Sequence, residues 1–275
     1  MSAQKLADLI NERTGGKPVD MGLVLGSGLS GLVGTVQNAV TIAYSDLDGF
    51  PDAGVSGHNP SLVIGQIEGV NVAVFGGRFH YYEHGQADVM RLPLETLKAL
   101  GARSVCFTNS AGSLNMDMQP GAQMLITDHV NLSGTNPLIG VQGDERFVNM
   151  VDAYDPALCD MARAGAKSID QKLYEGIYSW YSGPSFETPA EIKMAQILGI
   201  DAVGMSTVPE VILARYLGLK VVGFSNITNL GAGMAAHGPS HDETKDEAAK
   251  AAKSFEALIR SFLRAYKEQG DLWRL

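Results

Sequence analysis

Glu187, Ser206 and Asn229 each stand where a run of strand-forming residues gives way to a helix start or a glycine-rich loop, supplying a carboxylate, a hydroxyl and a carboxamide. Polar groups collected at strand ends are the layout of a ligand pocket in an alternating α/β chain, not of a core. In Ser182-Gly-Pro-Ser-Phe-Glu187-Thr-Pro-Ala-Glu191, Thr188 suits an N-cap, Pro189 the first helical position, and Glu191 completes a capping box. Glu187 therefore sits just outside a helix start. The run Val203-Gly-Met-Ser206-Thr207-Val-Pro-Glu210 repeats the pattern, with Thr207 and Glu210 spaced as a second capping box. Ser206 is left beside the positive end of a helix, where anions are stabilised. Asn229 closes the apolar run that begins at Val221 and precedes Leu230-Gly-Ala-Gly233; its amide can both donate and accept.

Two further segments carry anion chemistry. Gly26-Ser27-Gly28-Leu-Ser-Gly31 follows an apolar run and matches the dinucleotide spacing G-x-G-x-x-G, with Asp46 twenty residues on. A plain tight turn, a dinucleotide site and a lone phosphate site all remain open on these residues alone. In Gly76-Gly-Arg78-Phe-His80-Tyr-Tyr82, an extended backbone would turn Arg78, His80 and Tyr82 to one side. That places a forked phosphate donor, an imidazole and an aromatic plane suited to a sugar together. Thr108-Asn-Ser110-Ala-Gly112 adds small residues and backbone donors at another strand end, compatible with an anion nest.

The elements that must hold these groups alternate along the chain. Strands are predicted over 21–25, 40–43, 61–66, 70–75, 104–108, 123–127, 177–181, 202–204 and 221–224, and helices over 3–12, 89–100, 156–169, 189–198, 209–217 and 242–266. Gly101, Gly199 and Gly218 are expected as left-handed caps. The rhythm implies one α/β domain over 1–275, a mostly parallel sheet covered by helices on both faces, with an antiparallel addition around 61–75. A net charge of −9 argues against a nucleic-acid surface, so any phosphate bound should be small and locally caged. No run approaches a membrane span, and the first seventeen residues form an amphipathic helix rather than a signal peptide. Cys106 and Cys159 are expected as unpaired thiols, which suits a reducing, cytoplasmic setting.

Taken in order, Gly26-Ser-Gly28, Gly77-Arg-Phe-His80, Thr108-Asn-Ser-Ala-Gly112, Gly183-Pro-Ser-Phe-Glu-Thr188, Gly204-Met-Ser206 with Val208-Pro-Glu210, and Ile227-Thr-Asn229 resemble the trimeric class of purine nucleoside phosphorylases, from about residue 20 to residue 265. The resemblance implies a central mixed sheet and phosphorolysis of inosine or guanosine, or their deoxy forms, to free purine and pentose 1-phosphate in purine salvage. It implies no metal or organic cofactor, inorganic phosphate as co-substrate, and a homotrimer or a hexamer of two trimers. By the same resemblance Ser27, His58, Arg78, His80, Ser110 and Ser206 hold phosphate, and Tyr82 and Met205 line the ribose. Phe186 and Glu187 meet the base, Asn229 faces its O6 and N7 edge, Thr228 also contacts the nucleoside, and Phe147 is the aromatic a neighbouring subunit contributes. Asn229, His80 and Glu187 are the expected catalytic residues. Two histidines compete for the sugar 5′-hydroxyl; Ser240 and Glu243 are spaced as a capping box that puts His241, rather than His237, at the start of the last helix. Leu230 stands where relatives often carry Lys. The competing reading, a nicotinamide-dependent oxidoreductase, rests on the 26–31 loop with Asp46.

Overall fold

The computed structural model describes residues 1–26, 28–51, 60–235 and 238–270. The elements in chain order are α1 (Ala3–Thr14), β1 (Met21–Val24), β2 (Gln37–Ala43), β3 (Ser61–Ile67), β4 (Val70–Phe75), α2 (Tyr81–His84), α3 (Arg91–Ala99), β5 (Ser104–Ser113) and β6 (Gln123–Asn131). There follow α4 (Pro156–Ser168), β7 (Tyr174–Trp180), α5 (Pro189–Ile197), β8 (Ala202–Gly204), α6 (Val208–Tyr216), β9 (Lys220–Leu230) and α7 (His241–Gly270). Local chemistry accounts for most boundaries. Asp155 accepts from the N–H groups of Ala157 and Leu158 with Pro156 at the first helical position of α4, and Ser2 caps α1. Gly101, Gly199 and Gly218 adopt φ of 95°, 76° and 69° after α3, α5 and α6, as expected.

The nine strands run β2-β3-β4-β1-β5-β8-β7-β6-β9, and β9 pairs back onto β5. β1 is parallel to β4 and β5, β5 to β9, and β7 to both β6 and β8. β2 with β3 and β3 with β4 are antiparallel, the addition expected around 61–75. Two further antiparallel pairs, β5 with β8 and β6 with β9, close β5-β8-β7-β6-β9 into a ring. That closure was not foreseen, because pairing direction depends on partners distant in sequence. The helices flank the mixed sheet in two groups: α4 packs on α7 and both meet β9, while α3 packs on α1 and α6. Leu23, Val74, Phe107, Val222 and Phe262 are among the side chains sealed in the main core. A smaller cluster of Leu114, Ile192, Ala195 and Val203 seats α5.

β5 and β9 extend beyond their predicted ends. Polar residues such as Asn109, Ser225 and Asn226 break the apolar pattern on which strand prediction relies, yet all three are buried. Cys106 and Cys159 are buried free thiols, with burial pushing Cys159 up to about 11. Among the described residues no helix is long and apolar enough to cross a membrane.

Gly165 marks a close contact between α4 and α7. A Cβ there would lie 2.8 Å from the backbone of Ser261 and Phe262 on α7. Alanine would gain about 1 kcal/mol of helix propensity, but overpacking against backbone costs about 1 to 3 kcal/mol. Gly165→Ala is therefore expected to lower the urea midpoint; a raised midpoint would mean that α7 can step back without loss.

Candidate active site

A cleft of about 130 Å³ opens between the ends of β5 and β9, the turns after β4 and β8, the loop before α5 and the start of α7. It gathers Arg78, His80, Tyr82, Ser110, Phe186, Glu187, Met205, Ser206, Thr228, Asn229 and His241, eleven of the fourteen residues expected from the sequence. Ser27 and His58 lie outside the described residues, as does His237. Phe147 is not brought in. It stands 75% exposed after a short 3-10 turn, with the Arg146 guanidinium 5.0 Å over its ring.

One end of the cleft is built around Arg78, only 2% exposed. Its Nη1 donates to Ser206 Oγ at 2.7 Å and Thr207 Oγ1 at 2.9 Å, its Nη2 to the Thr108 carbonyl, and its Nε faces Glu210 at 3.5 Å. Glu210 was expected to complete a capping box with Thr207; instead it is the buried counter-ion of Arg78, and Thr207 caps nothing. Thr207 has φ 75° and ψ −53°, and the Val208 N–H donates to the Ser206 carbonyl at 2.9 Å. These are the marks of a γ-turn of the strained kind, a conformation that costs about 1 to 3 kcal/mol for a non-glycine residue. The strain turns the Thr207 hydroxyl away from the helix and toward Arg78.

His80 is extended, but Tyr82 lies on the short helix α2, so the shared face expected of Arg78, His80 and Tyr82 along one strand does not exist. Tyr82 reaches the cleft by stacking on the His80 ring at 4.8 Å. Burial pushes the Tyr82 phenol up to about 12. Glu83 accepts from the His80 N–H at 2.7 Å and meets Nδ1 at 3.0 Å. A carboxylate only accepts, so Nδ1 carries a proton and Nε2 is the nitrogen suited to serve a ligand. Burial alone would raise the Glu83 carboxyl, but the bonds from His80 outweigh it and hold it below its ordinary value.

At the other end, Asn229 Oδ1 accepts from Thr228 Oγ1 at 3.0 Å and its Nδ2 donates to the Leu230 carbonyl at 3.0 Å. Adjacent strand residues normally face opposite sides. Here the register of β5 and β9 shifts between Ala111 and Gly112, so the extra residue, Thr228, and Asn229 both reach the cleft. A Cβ on Gly112 would lie 2.8 Å from Asn229 Nδ2, which explains the glycine. Glu187 stands just outside the capping box in which Thr188 and Glu191 exchange bonds, as expected. Burial, followed by repulsion from Glu191, outweighs its own backbone N–H and raises its pKa. Among the described residues, the buried atoms Ser110 Oγ, Asn109 Oδ1 and Glu187 Oε1 have no hydrogen-bond partner. Such atoms in one cleft are the sign of a site completed by a ligand.

Sequence reasoning missed Glu83 and Asn109 as supports of this site, and gave Glu210 the wrong role. The i to i+3 spacing of His80 and Glu83 was an available signal; the pairing of Glu210 with Arg78 was not. The dinucleotide reading fails on geometry. Gly28 and Leu29 lead into a 3-10 turn, Ser30–Thr35, rather than a helix, and Asp46 follows edge strand β2, where it bonds Arg13 at 2.8 Å. Gly26 has a packing cause, since a Cβ would lie 2.6 Å from the Thr108 carbonyl. No group of three or more His, Cys, Asp or Glu side chains among the described residues could hold a metal ion.

The mixed sheet closes a ring of five strands around the cleft, and the family model of the phosphorylase superfamily matches residues 20–264; the chain belongs to that family. A purine nucleoside phosphorylase of Geobacillus stearothermophilus is 42% identical over 264 residues, covering 95% of this chain and 96% of the relative. Two solved structures of Schistosoma mansoni purine nucleoside phosphorylase, with inosine and with adenosine, superpose with TM-scores of 0.88 and 0.89 at 33% and 32% identity. Each covers 95% of this chain, and 95% and 96% of the respective solved chain. Within the superfamily the chain is thus a purine nucleoside phosphorylase, a pentosyltransferase.

Because the Glu187 pKa is raised, the folded state binds its proton more tightly than the unfolded chain does. Stability from this group is full below the ordinary carboxylate value and is lost as pH rises through the folded value. Glu187→Gln cannot ionise, so in the ligand-free protein it should melt at or above the wild type at pH 7, with the difference vanishing below about pH 4. A less stable variant at pH 7 would show that the carboxylate is held by partners in the fold. A scanning calorimetry series across pH decides between them.

Proposed function

We propose that the enzyme acts on 6-oxopurine nucleosides, inosine and guanosine and their deoxy forms, releasing free purine and pentose 1-phosphate in cytoplasmic purine salvage. The observation that carries this reading is one cleft with a buried guanidinium and hydroxyl at one end and, at the other, an amide and a carboxylate with one unpartnered oxygen. Breaking the glycosidic bond makes C1′ of the pentose cationic and the purine anionic, so stabilisation is needed on both sides. Phosphate held by Arg78, His80, Ser110 and Ser206, with Ser27 and His58, serves as nucleophile and counter-ion beneath C1′. No metal or organic cofactor is required in this scheme, and inorganic phosphate is the co-substrate.

On the base side, Asn229 Nδ2 leaves the Leu230 carbonyl to donate to N7 as charge accumulates there, with Thr228 supporting the amide. Ionised Glu187 accepts from N1–H, which guanine and hypoxanthine carry and adenine lacks. Adenine would leave the carboxylate facing an acceptor. Since a relative was solved with adenosine, the discrimination is expected in turnover more than in binding. Ligand binding turns the cost of the buried Glu187 carboxylate into selectivity, because the incoming donor supplies the partner the fold withholds. Phe186 covers the base, Tyr82 and Met205 the ribose, and His241 at the start of α7 meets the 5′-hydroxyl. The exposed Phe147 is assigned to a neighbouring subunit's site in a homotrimer, alone or paired as a hexamer.

Inosine incubated with and without phosphate, with hypoxanthine and ribose 1-phosphate both followed, tests the reading. Cleavage in the presence of phosphate alone, with adenosine turned over far more slowly, is expected; equal cleavage without phosphate would sink it. Asn229→Ala should lose about 3 to 4 kcal/mol of transition-state stabilisation, at least roughly a hundredfold in kcat, with phosphate affinity nearly unchanged. Wild-type turnover in that variant would remove Asn229 from the mechanism.

A further inference from the structure

α7 turns one face inward along its length. Ala248, Ala251, Phe255, Leu258 and Phe262 follow one another at intervals of three and four residues and are all buried, the stripe by which an amphipathic helix docks. Continued toward the start of the helix at the same intervals, that stripe reaches Thr244 and then His241, and both line the cleft. The neighbouring loop sets this register. Gly28, at φ 87°, lies so close to the helix that a Cβ on it would come 2.8 Å from the Ala248 Cβ. The inward face of α7 thus changes from apolar to polar where it leaves the core and meets the cleft. His241 has a role in the functional reading above, at the sugar 5′-hydroxyl, whereas half-buried Thr244, one turn further on, has none.

The bonds around the helix start decide what Thr244 can offer. Ser240 Oγ accepts the Glu243 N–H at 3.2 Å, and the Ser240 carbonyl accepts both the Thr244 N–H at 3.1 Å and Thr244 Oγ1 at 2.9 Å. The hydroxyl proton is therefore given to the carbonyl one turn back, a bond open to threonine in a helix. A hydroxyl has one proton and two lone pairs, so toward the cleft Thr244 Oγ1 is an acceptor. The group that suits it carries an O–H.

We propose that Thr244 is a specificity-determining residue for the pentose: beside His241 it receives the sugar 5′-hydroxyl, with Thr244 Oγ1 accepting the hydroxyl proton. The inference rests on the reading that puts the nucleoside in this cleft with its 5′-hydroxyl at His241, and deepens it. Residues three apart on a helix are neighbours on its surface, about 5 to 6 Å between Cβ atoms, a gap that one hydroxyl can bridge. Phosphate oxygens mostly accept, and so suit the donors gathered at Arg78 better than this acceptor. A 5′-deoxy or 5′-alkylthio sugar has no proton to give, leaves the Thr244 oxygen unmet and loses the bond. Substrates that keep the 5′-hydroxyl are favoured over those that lack it, and Thr244 carries part of that preference.

Thr244→Val exchanges the hydroxyl for a methyl group, and Thr244→Ser keeps the hydroxyl. Phosphorolysis of inosine and of 5′-deoxyinosine is measured for these two variants and the wild type. The valine variant should lower kcat/KM for inosine roughly three- to tenfold and that for 5′-deoxyinosine by less than about twofold, the size of one neutral hydrogen bond, with the KM for phosphate nearly unchanged. Serine should restore the wild-type preference. Equal losses on the two nucleosides would show a structural role only, and a raised phosphate KM would assign Thr244 to the anion instead; either result, or a serine variant that behaves as valine does, overturns the proposal. Calorimetric titration of the same proteins with each nucleoside, without phosphate, reads the contact without turnover. A wild type that binds both nucleosides equally would also overturn it. A wild type that prefers inosine in binding, loses the preference in the valine variant and cleaves neither nucleoside would overturn the functional reading and leave the Thr244 contact standing.

Discussion

A guanidinium at 2% exposure must have its charge and its donors met inside the protein, and the arrangement around Arg78 shows how widely that requirement reaches. Glu210 of α6 supplies the opposite charge, the Thr108 carbonyl and two hydroxyls supply acceptors, and Asn109 holds one of those hydroxyls from β5. Four separate pieces of chain are thereby registered on one side chain: the turn after β4, the strand β5, the turn after β8 and the helix α6. At 3.5 Å the pair compensates charge without a hydrogen bond, leaving Arg78 Nε and Glu210 Oε1 without hydrogen-bond partners among the described residues.

The pairing of β5 with β9 carries the second half of the site. Asn109 and Ser110 come from one strand and Thr228 and Asn229 from the other, and the register shift after Ala111 turns consecutive residues of β9 toward the same cleft. Closing five strands into a ring leaves the polar residues of β5 and β9 inside rather than at an edge. Backbone groups are satisfied by strand neighbours, so the side chains are released for ligand chemistry.

Two carboxylates in the cleft region show opposite environments. Glu83 takes two bonds from His80 on Oε1, which hold its pKa below the ordinary value and set the tautomer of the imidazole, although its Oε2 has no partner among the described residues. Glu187 also has an unpartnered oxygen, but burial is offset only by its own backbone N–H, so it is pushed toward its neutral form. One carboxylate organises the protein and the other is left for a ligand, a division made by hydrogen-bond donors and not by residue type.

Local order was legible in the sequence. The capping box from Thr188 to Glu191 and the proline-led starts of α4 and α5 form from bonds between near neighbours, and the strands opening at Met21, Ser61 and Val70 were marked by their own apolar runs. The full set of site residues was named from six ordered motifs that resemble a known family, while Glu187 and Ser206 were also marked by their places just outside helix starts. What the tertiary structure alone decided depends on partners far along the chain. Glu210 abandoned the expected capping box for an arginine that a different turn delivers, Thr207 took a strained backbone to meet that arginine, and Tyr82 reached the cleft from a helix rather than a strand. Arg78 and Ser206 are 128 residues apart, and no local term distinguishes that pairing from any other. Helix caps and strand runs are settled within a few residues, whereas ring closure, the bulge in β9 and the neutralisation of a buried charge are settled by what packing brings alongside.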